Sequence, residues 1–144
     1  GLRALEKQAV VAGGASNHRF CLDDMVLIKE NHIAAAGGIK PALTKCLPLR
    51  KSKRVKIEIE VRNLTEYKEA LSLRPDIIML DNMSMTDMKK AVALRPDGVA
   101  LEASGNMDLK KIKRIQHIGI DYVSMGALTH SAPILDLSLL FKPR

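Results

Sequence analysis

The stretch Ile57-Glu58-Ile59-Glu60-Val61 returns in character, though not in letters, as Ile77-Ile78-Met79-Leu80, Val99-Ala100-Leu101-Glu102-Ala103 and Asp121-Tyr122-Val123-Ser124-Met125. These segments begin at residues 57, 77, 99 and 121, a spacing of 20, 22 and 22 residues, and each interval holds one helix-length amphipathic segment. Strand, helix and strand at that period predict βα units around a parallel sheet. Each strand also runs into residues suited to binding: Glu60, Asp81-Asn82, Ser104-Gly105-Asn106 and Gly126. In β/α barrels the carboxyl ends of the strands carry the chemistry and the opposite ends carry stability.

Working outward, Met25-Val26-Leu27-Ile28-Lys29 reads as an earlier strand, apolar until its last residue as a buried parallel strand should be. Five strands in 144 residues fall short of a complete eight-unit barrel of about 250 residues. The fold class expected is therefore α/β, a parallel β/α barrel, incomplete or open, with about five to six βα units over residues 1–144. The chain opens on Gly1-Leu2-Arg3, and the expectation is a piece of one barrel domain, with no linker and no second domain within it.

The helices are expected at Leu2–Val11, at Ile33–Cys46 with an interruption at Gly37-Gly38 and Pro41, from an Asn63/Glu66 cap to about Leu73, from a Ser84/Asp87 cap to about Leu94, and at Met107–His117. Ala15–Asp24 reads as a loop, and residues 133–141 as a segment packing the final unit against the barrel.

The net charge of +7 points to anionic partners. With aromatic residues at 3% and no basic run interleaved with stacking side chains, nucleic acid is a poor candidate. The dense basic run Arg50-Lys51-Ser52-Lys53-Arg54 reads as a solvated connection at the end opposite the site. Cys21 and Cys46 make neither a disulfide framework nor a metal-ligand spacing, which fits a reducing compartment. No apolar run approaches a membrane span, and no signal peptide is present.

On the strand Lys56–Val61 side chains alternate, so Ile57, Ile59 and Val61 face one way and Lys56, Glu58 and Glu60 the other. An edge strand with one wet face would explain that. For a strand second in a series of five, a charged inner face instead asks for a function, with Glu60 nearest the open end. Asp81 could cap the next helix, but Ser84 fills that role better. Glu60 and Asp81 together suit Mg²⁺, which takes one or two protein carboxylates plus substrate phosphate oxygens. Ser104-Gly105-Asn106, expected just before a helix start, and Gly126-Ala127 one repeat later are either plain turns or a phosphate pocket built from late barrel loops. His18, Arg19 and Lys29 flank the first strand, where an arginine offers bidentate carboxylate binding and a lysine a point charge.

With these residues in hand, the chain resembles the quinolinate phosphoribosyltransferase family, the carboxylating nicotinate-nucleotide pyrophosphorylases. The likeness rests on Gly1-Leu2-Arg3 through Glu6-Lys7, Asn17-His18-Arg19, Leu27-Ile28-Lys29-Glu30-Asn31-His32-Ile33, Ile57–Val61, Met79-Leu80-Asp81-Asn82-Met83, Leu101-Glu102-Ala103-Ser104-Gly105-Asn106 and Gly126-Ala127-Leu128-Thr129-His130, in the family's order over nearly the whole chain. The resemblance implies a type II phosphoribosyltransferase barrel that joins quinolinate to phosphoribosyl diphosphate, giving nicotinate mononucleotide, pyrophosphate and CO₂. It implies that His18, Arg19 and Lys29 surround the pyridine dicarboxylate, that Lys29, Glu60 and Asp81 are catalytic with Glu60 and Asp81 facing ribose and Mg²⁺-diphosphate, and that Ser104, Gly105, Asn106, Gly126 and His130 line the phosphate pocket. It further implies a cytoplasmic homodimer or larger homo-oligomer with shared active sites. Three departures stand out. The family's N-terminal α/β domain and first barrel strand are not in this sequence, its Thr-Arg-Lys-Thr stretch falls before Gly1, and Cys21 stands where the family usually has glycine. Alternatives are a related phosphoribosyltransferase acting on nicotinate or another aromatic acid, and a non-catalytic partial barrel that assembles with a partner.

Overall fold

The structure is a computed structural model that describes residues 1–53 and 55–142. In chain order the elements are α1 (Arg3–Ala12), β1 (Met25–Ile28), α2 (Glu30–Ala36), α3 (Ile39–Lys53), β2 (Lys56–Val61), α4 (Leu64–Leu71), β3 (Ile77–Asp81), α5 (Met85–Leu94), β4 (Ala100–Ser104), α6 (Leu109–Ile115), β5 (Tyr122–Val123) and α7 (Ala127–His130). The five strands form one sheet in the order β1-β2-β3-β4-β5, every pair parallel. It is the predicted βα succession, and the sheet does not close into a ring.

Register decides which residues share a face. Ile28, Ile59, Ile78 and Leu101 align across the sheet, as do Val61, Leu80, Ala103 and Val123. These side chains face the helix layer, and Ile57, Ile59, Val61, Ile78, Leu80, Leu101 and Ala103 are completely buried there. Burying a branched aliphatic side chain this fully is worth about 1.5–3 kcal/mol, so this face holds the helices on. The opposite, inner face aligns Leu27, Glu58, Ile77 and Ala100 in one layer and Glu60, Met79, Glu102 and Tyr122 in the next, with Asp81 beside Ser104 at the end.

The amino ends of the strands are tied by a repeated device. Asp76 Oδ2 accepts from the Ile57 amide at 2.8 Å and from Arg50 Nε at 3.1 Å. One unit pair later, Asp121 Oδ2 accepts from the Leu101 amide at 2.8 Å and from Arg95. Of the connection expected at residues 50–54, residues 50–53 are thus helical instead. Residues 50–53 close the last turn of α3, and Arg50 belongs to a structural pair; Arg54 lies outside the described residues.

Other differences from expectation have local causes. The expected helix at 33–46 is two helices. Gly37, at φ +86°, ends α2 in the left-handed conformation open to glycine, and α2 begins at Glu30, ahead of His32. Asn63 caps α4 by accepting from the Thr65 and Glu66 amides, while Glu66 accepts from the Arg62 amide at 2.7 Å. The helix expected from Met107 starts at Leu109, because Asp108 is the cap and takes the Lys111 amide at 2.7 Å. Residues 133–141 do not pack on the barrel. Ile134, Leu137, Leu139, Leu140 and Phe141 are each more than 80% exposed, since β5 is only two residues long and the ladder offers these residues no strand to join.

Tyr67 is fully buried, and its hydroxyl donates to the Ala91 carbonyl at 2.8 Å, joining α4 to α5. Tyr67→Phe leaves that carbonyl unpaired in an apolar layer. The expected loss is about 1–2 kcal/mol, read as a lower urea midpoint at an unchanged slope of the transition.

Candidate functional site

At the carboxyl ends of the strands the sequence-predicted residues fall into three groups. The first is the pair at the ends of β2 and β3. Glu60 and Asp81 both lie on the inner face, half-buried. The carboxyl of Glu60 is pushed up by burial first and by the Asp81 charge second, with the Lys29 charge opposing. A half-buried carboxyl raised by the charge of a neighbouring carboxylate suits a hard cation held between the two. Lys29 follows β1 directly and caps α2, its amide donating to His32 Nδ1 at 2.9 Å.

The second group is the loop after β4. Gly105 has φ +88°, and a Cβ there would lie 2.3 Å from the Asn82 side chain, so only glycine lets the β3 and β4 loops meet this closely. Asn82 and Asn106 also have positive φ, at 51° and 48°. Their amides are joined at 3.2 Å, Asn82 Nδ2 donates to Asp81 Oδ1 at 3.0 Å, and the Asn82 amide donates to the Ser104 carbonyl at 3.0 Å. A cleft beside this loop is lined by Asn82, Met83, Ser104, Gly105, Lys111 and Arg114. α6 starts only at Leu109, so Met107 and Asp108 separate the Ser104–Asn106 loop from the helix start that the sequence-based reading set at Met107. The cations Lys111 and Arg114 were not among the residues the sequence singled out; their spacing on α6 behind Asp108 was the available signal. Gly126 and His130 sit together at α7, where a Cβ on Gly126 would approach His130 Nε2 at 3.1 Å. They are one strand removed from the Ser104 loop.

The third group lies deeper. Glu58 is completely buried and Glu102 is 4% exposed, both on the inner face. His18 reaches down from the Ala15–Asp24 loop between them, its Nε2 at 3.1 Å from Glu58 Oε2 and 3.8 Å from Glu102 Oε2. Ser124 donates its hydroxyl to Glu102 Oε1. Glu58 Oε1 is buried without a hydrogen-bond partner among the described residues. His18 Nδ1 accepts from the Arg19 amide at 2.9 Å. A backbone N–H can only donate, so Nδ1 keeps its lone pair and the ring hydrogen sits on Nε2, pointed at Glu58. His18 and Glu58 therefore form a hydrogen-bonded pair, with Glu102 held beside the ring at 3.8 Å and bonded instead to Ser124.

The electrostatics of this cluster follow from burial. Glu102 is pushed up to about 7, by desolvation first and by the neighbouring Glu58 charge second, with His18 opposing. The imidazole of His18 is pushed up chiefly by its hydrogen bond to Glu58. In the folded chain Glu102 keeps its proton to about pH 7, whereas its ordinary value is 4.5. The folded state then binds more protons than the unfolded state across that window, so stability falls as pH rises through it. Glu102→Gln should flatten this dependence. Between pH 5 and 8 the native chain is expected to lose on the order of 2 kcal/mol more than the variant in urea titrations.

The comparisons with known proteins bear on the same residues. The family model described as quinolinate phosphoribosyl transferase, C-terminal domain, matches residues 1–140. A probable nicotinate-nucleotide pyrophosphorylase (carboxylating) of Bacillus subtilis strain 168 is 41% identical over 139 residues, covering 96% of this chain and 48% of that protein. The chloroplastic nicotinate-nucleotide pyrophosphorylase (carboxylating) of Arabidopsis thaliana is 43% identical over 156 residues, covering 96% of this chain and 45% of the relative. The crystal structure of NadC from Streptococcus pyogenes superposes with a TM-score of 0.85 at 43% identity, covering 94% of this chain and 47% of that one. The chain spans about half the length of the curated relatives it matches. With a family model matching nearly every residue and solved relatives sharing its sheet, the chain belongs to the quinolinate phosphoribosyl transferase C-terminal domain family.

Proposed function

We propose that this chain supplies the barrel side of a quinolinate phosphoribosyltransferase site, transferring phosphoribosyl from phosphoribosyl diphosphate to quinolinate with decarboxylation. The products are nicotinate mononucleotide, pyrophosphate and CO₂, a step of NAD biosynthesis. The observation that carries this reading is the convergence of Glu60, Asp81 and the Ser104–Asn106 loop on neighbouring strand ends of one sheet.

In this reading Arg19 and Lys29 meet the two carboxylates of the pyridine, Arg19 by its planar fork and Lys29 as a point charge. Departure of pyrophosphate leaves positive charge on the ribose, and Glu60 and Asp81 stand where carboxylates stabilise that charge without reorganising. The Ser104-Gly105-Asn106 loop offers backbone amides to the ribose phosphate, with Gly126 and His130 at its far side. Once the ring nitrogen is ribosylated, the adjacent positive charge stabilises the electron pair left on the carbon losing CO₂, and that carbon then takes up a proton from solvent. Glu60 and Asp81 fit Mg²⁺ as paired hard oxygen donors, and when bound it would neutralise the diphosphate leaving group. A cytoplasmic homodimer or larger homo-oligomer with shared sites completes the proposal. The exposed apolar run from Ile134 to Phe141 supports assembly, and it favours a partial barrel completed by a partner as the second reading.

The decisive assay is CO₂ release from carboxyl-labelled quinolinate, with and without phosphoribosyl diphosphate, in the intact protein. Release that depends on both substrates is expected; turnover of nicotinate instead would replace the substrate. For the carboxylate pair, Glu60→Ala with Asp81→Ala is expected to abolish Mg²⁺-dependent binding of phosphoribosyl diphosphate in calorimetry, and undiminished affinity would remove the pair from the cation's shell.

A further inference from the structure

The loop Ala15–Asp24 that carries Arg19 has no regular structure of its own, so its position depends on side-chain struts. On the α1 side, Lys7 Nζ donates to the carbonyls of His18 and Arg19 at 2.9 and 3.1 Å, Arg3 Nη2 donates to the Arg19 carbonyl at 3.3 Å, and Asn17 Nδ2 donates to the Lys7 carbonyl at 3.1 Å. Toward the sheet, the hydrogen bonds among the described residues are two. Arg19 Nη1 donates to the Met25 carbonyl at 3.3 Å, and His18 Nε2 donates to Glu58 Oε2 at 3.1 Å.

The second of these is the better anchored. Glu58 is completely buried on β2, in the centre of the sheet's hydrogen-bonded run, and its backbone is fixed by pairing with both β1 and β3. The donor is equally constrained. The Arg19 amide holds His18 Nδ1, so the imidazole cannot turn over without losing one of its two bonds. A carboxylate that accepts a ring N–H in a buried setting makes a strong, directional bond. The atom linking the loop to the barrel floor is therefore one residue from the guanidinium that the proposed function gives to the substrate's carboxylates.

Resting on that proposed function, we propose that Glu58 is a positioning residue for the aromatic acid. It takes the Nε2 hydrogen of His18 and so fixes the loop that carries Arg19, whose Nη1 meets the Met25 carbonyl at the start of β1. Glu58 itself touches no substrate in this scheme. Its effect passes through His18, and it selects for quinolinate binding over phosphoribosyl diphosphate binding, because the latter contacts Glu60, Asp81 and the Ser104 loop.

The test is a double-mutant cycle in the intact protein. Glu58→Ala should raise the KM for quinolinate about tenfold, with kcat changed less than threefold and the KM for phosphoribosyl diphosphate unchanged. Glu58→Gln, whose amide oxygen still accepts the ring N–H, should restore most of the affinity. In a His18→Ala background, Glu58→Ala should add nothing further. An unchanged quinolinate KM in Glu58→Ala, an equal rise in both KM values, or additive effects of the two alanines would each overturn the proposal. Nitrogen-15 spectroscopy of the His18 ring needs no turnover and so separates this failure from a wrong substrate. Nε2–H with a bare Nδ1 is expected in the native chain and in Glu58→Gln, and mixed tautomers in Glu58→Ala. A native ring protonated on Nδ1 alone would overturn the proposal whatever the enzyme acts on.

Discussion

A pleated parallel strand has two faces, and β2 gives them opposite duties. Ile57, Ile59 and Val61 are completely buried against the helix layer, and Glu58 and Glu60 are carried on the other face. The rest of the molecule depends on that division. The outer face supplies the apolar area that keeps the helices in place, so it tolerates no charge. Every ionisable group needed for chemistry must then lie on the inner face or on the loops, and strand register lines up Glu58, Glu60, Glu102 and Asp81 on one surface of the sheet. A shift of one residue in register would send the carboxylates into the helix layer and the isoleucines into the cavity.

The two ends of the strands are held by different means. At the amino ends, Asp76 and Asp121 each bind the amide of a neighbouring strand's second residue and an arginine from a helix end. These bonds serve order, and they repeat because the units repeat. At the carboxyl ends the ties are strained loop conformations, with Asn82, Gly105 and Asn106 all at positive φ and in contact. Residues held in sparsely populated backbone regions are costly and persist where the surroundings over-determine them. Stability at one end and strain at the other is the division expected of a β/α barrel.

Much of this was legible in the sequence because it is periodic. The spacing of about 20 residues located β2 to β5, and the alternation from Lys56 to Val61 separated the faces. What escaped was non-local or depended on a cap. Asp108 rather than Asn106 starts α6, since its side chain reaches the Lys111 amide, and a helix expected two residues earlier looks equally good by apolar spacing. Arg50 looked like part of a solvated run because its partner Asp76 lies 26 residues away. His18 meets Glu58 across 40 residues and Glu102 across the intervening β3, a triangle that no local pattern announces. Glu58 and Glu102 were each visible as charges inside apolar strands; their meeting was not.

That triangle also resolves a tension in the charge of the chain. A net charge of +7 suits anionic substrates, yet the inner face of the sheet carries Glu58, Glu60, Asp81 and Glu102. Four ionised carboxylates would repel a pyridine dicarboxylate and a diphosphate alike. Glu102 escapes that conflict by holding its proton, pushed up to about 7, and Glu58 is hydrogen-bonded to an imidazole whose own proton affinity it raises. With Glu102 holding its proton, Lys29 just after β1 faces the acidic patch of Glu60 and Asp81, and its charge opposes the upward push on Glu60. A lysine and an acidic pair at neighbouring strand ends match the proposed joining of a dicarboxylate to a ribose turning positive. Glu102 thus serves the outer cations, by keeping its charge from a place where it would oppose them.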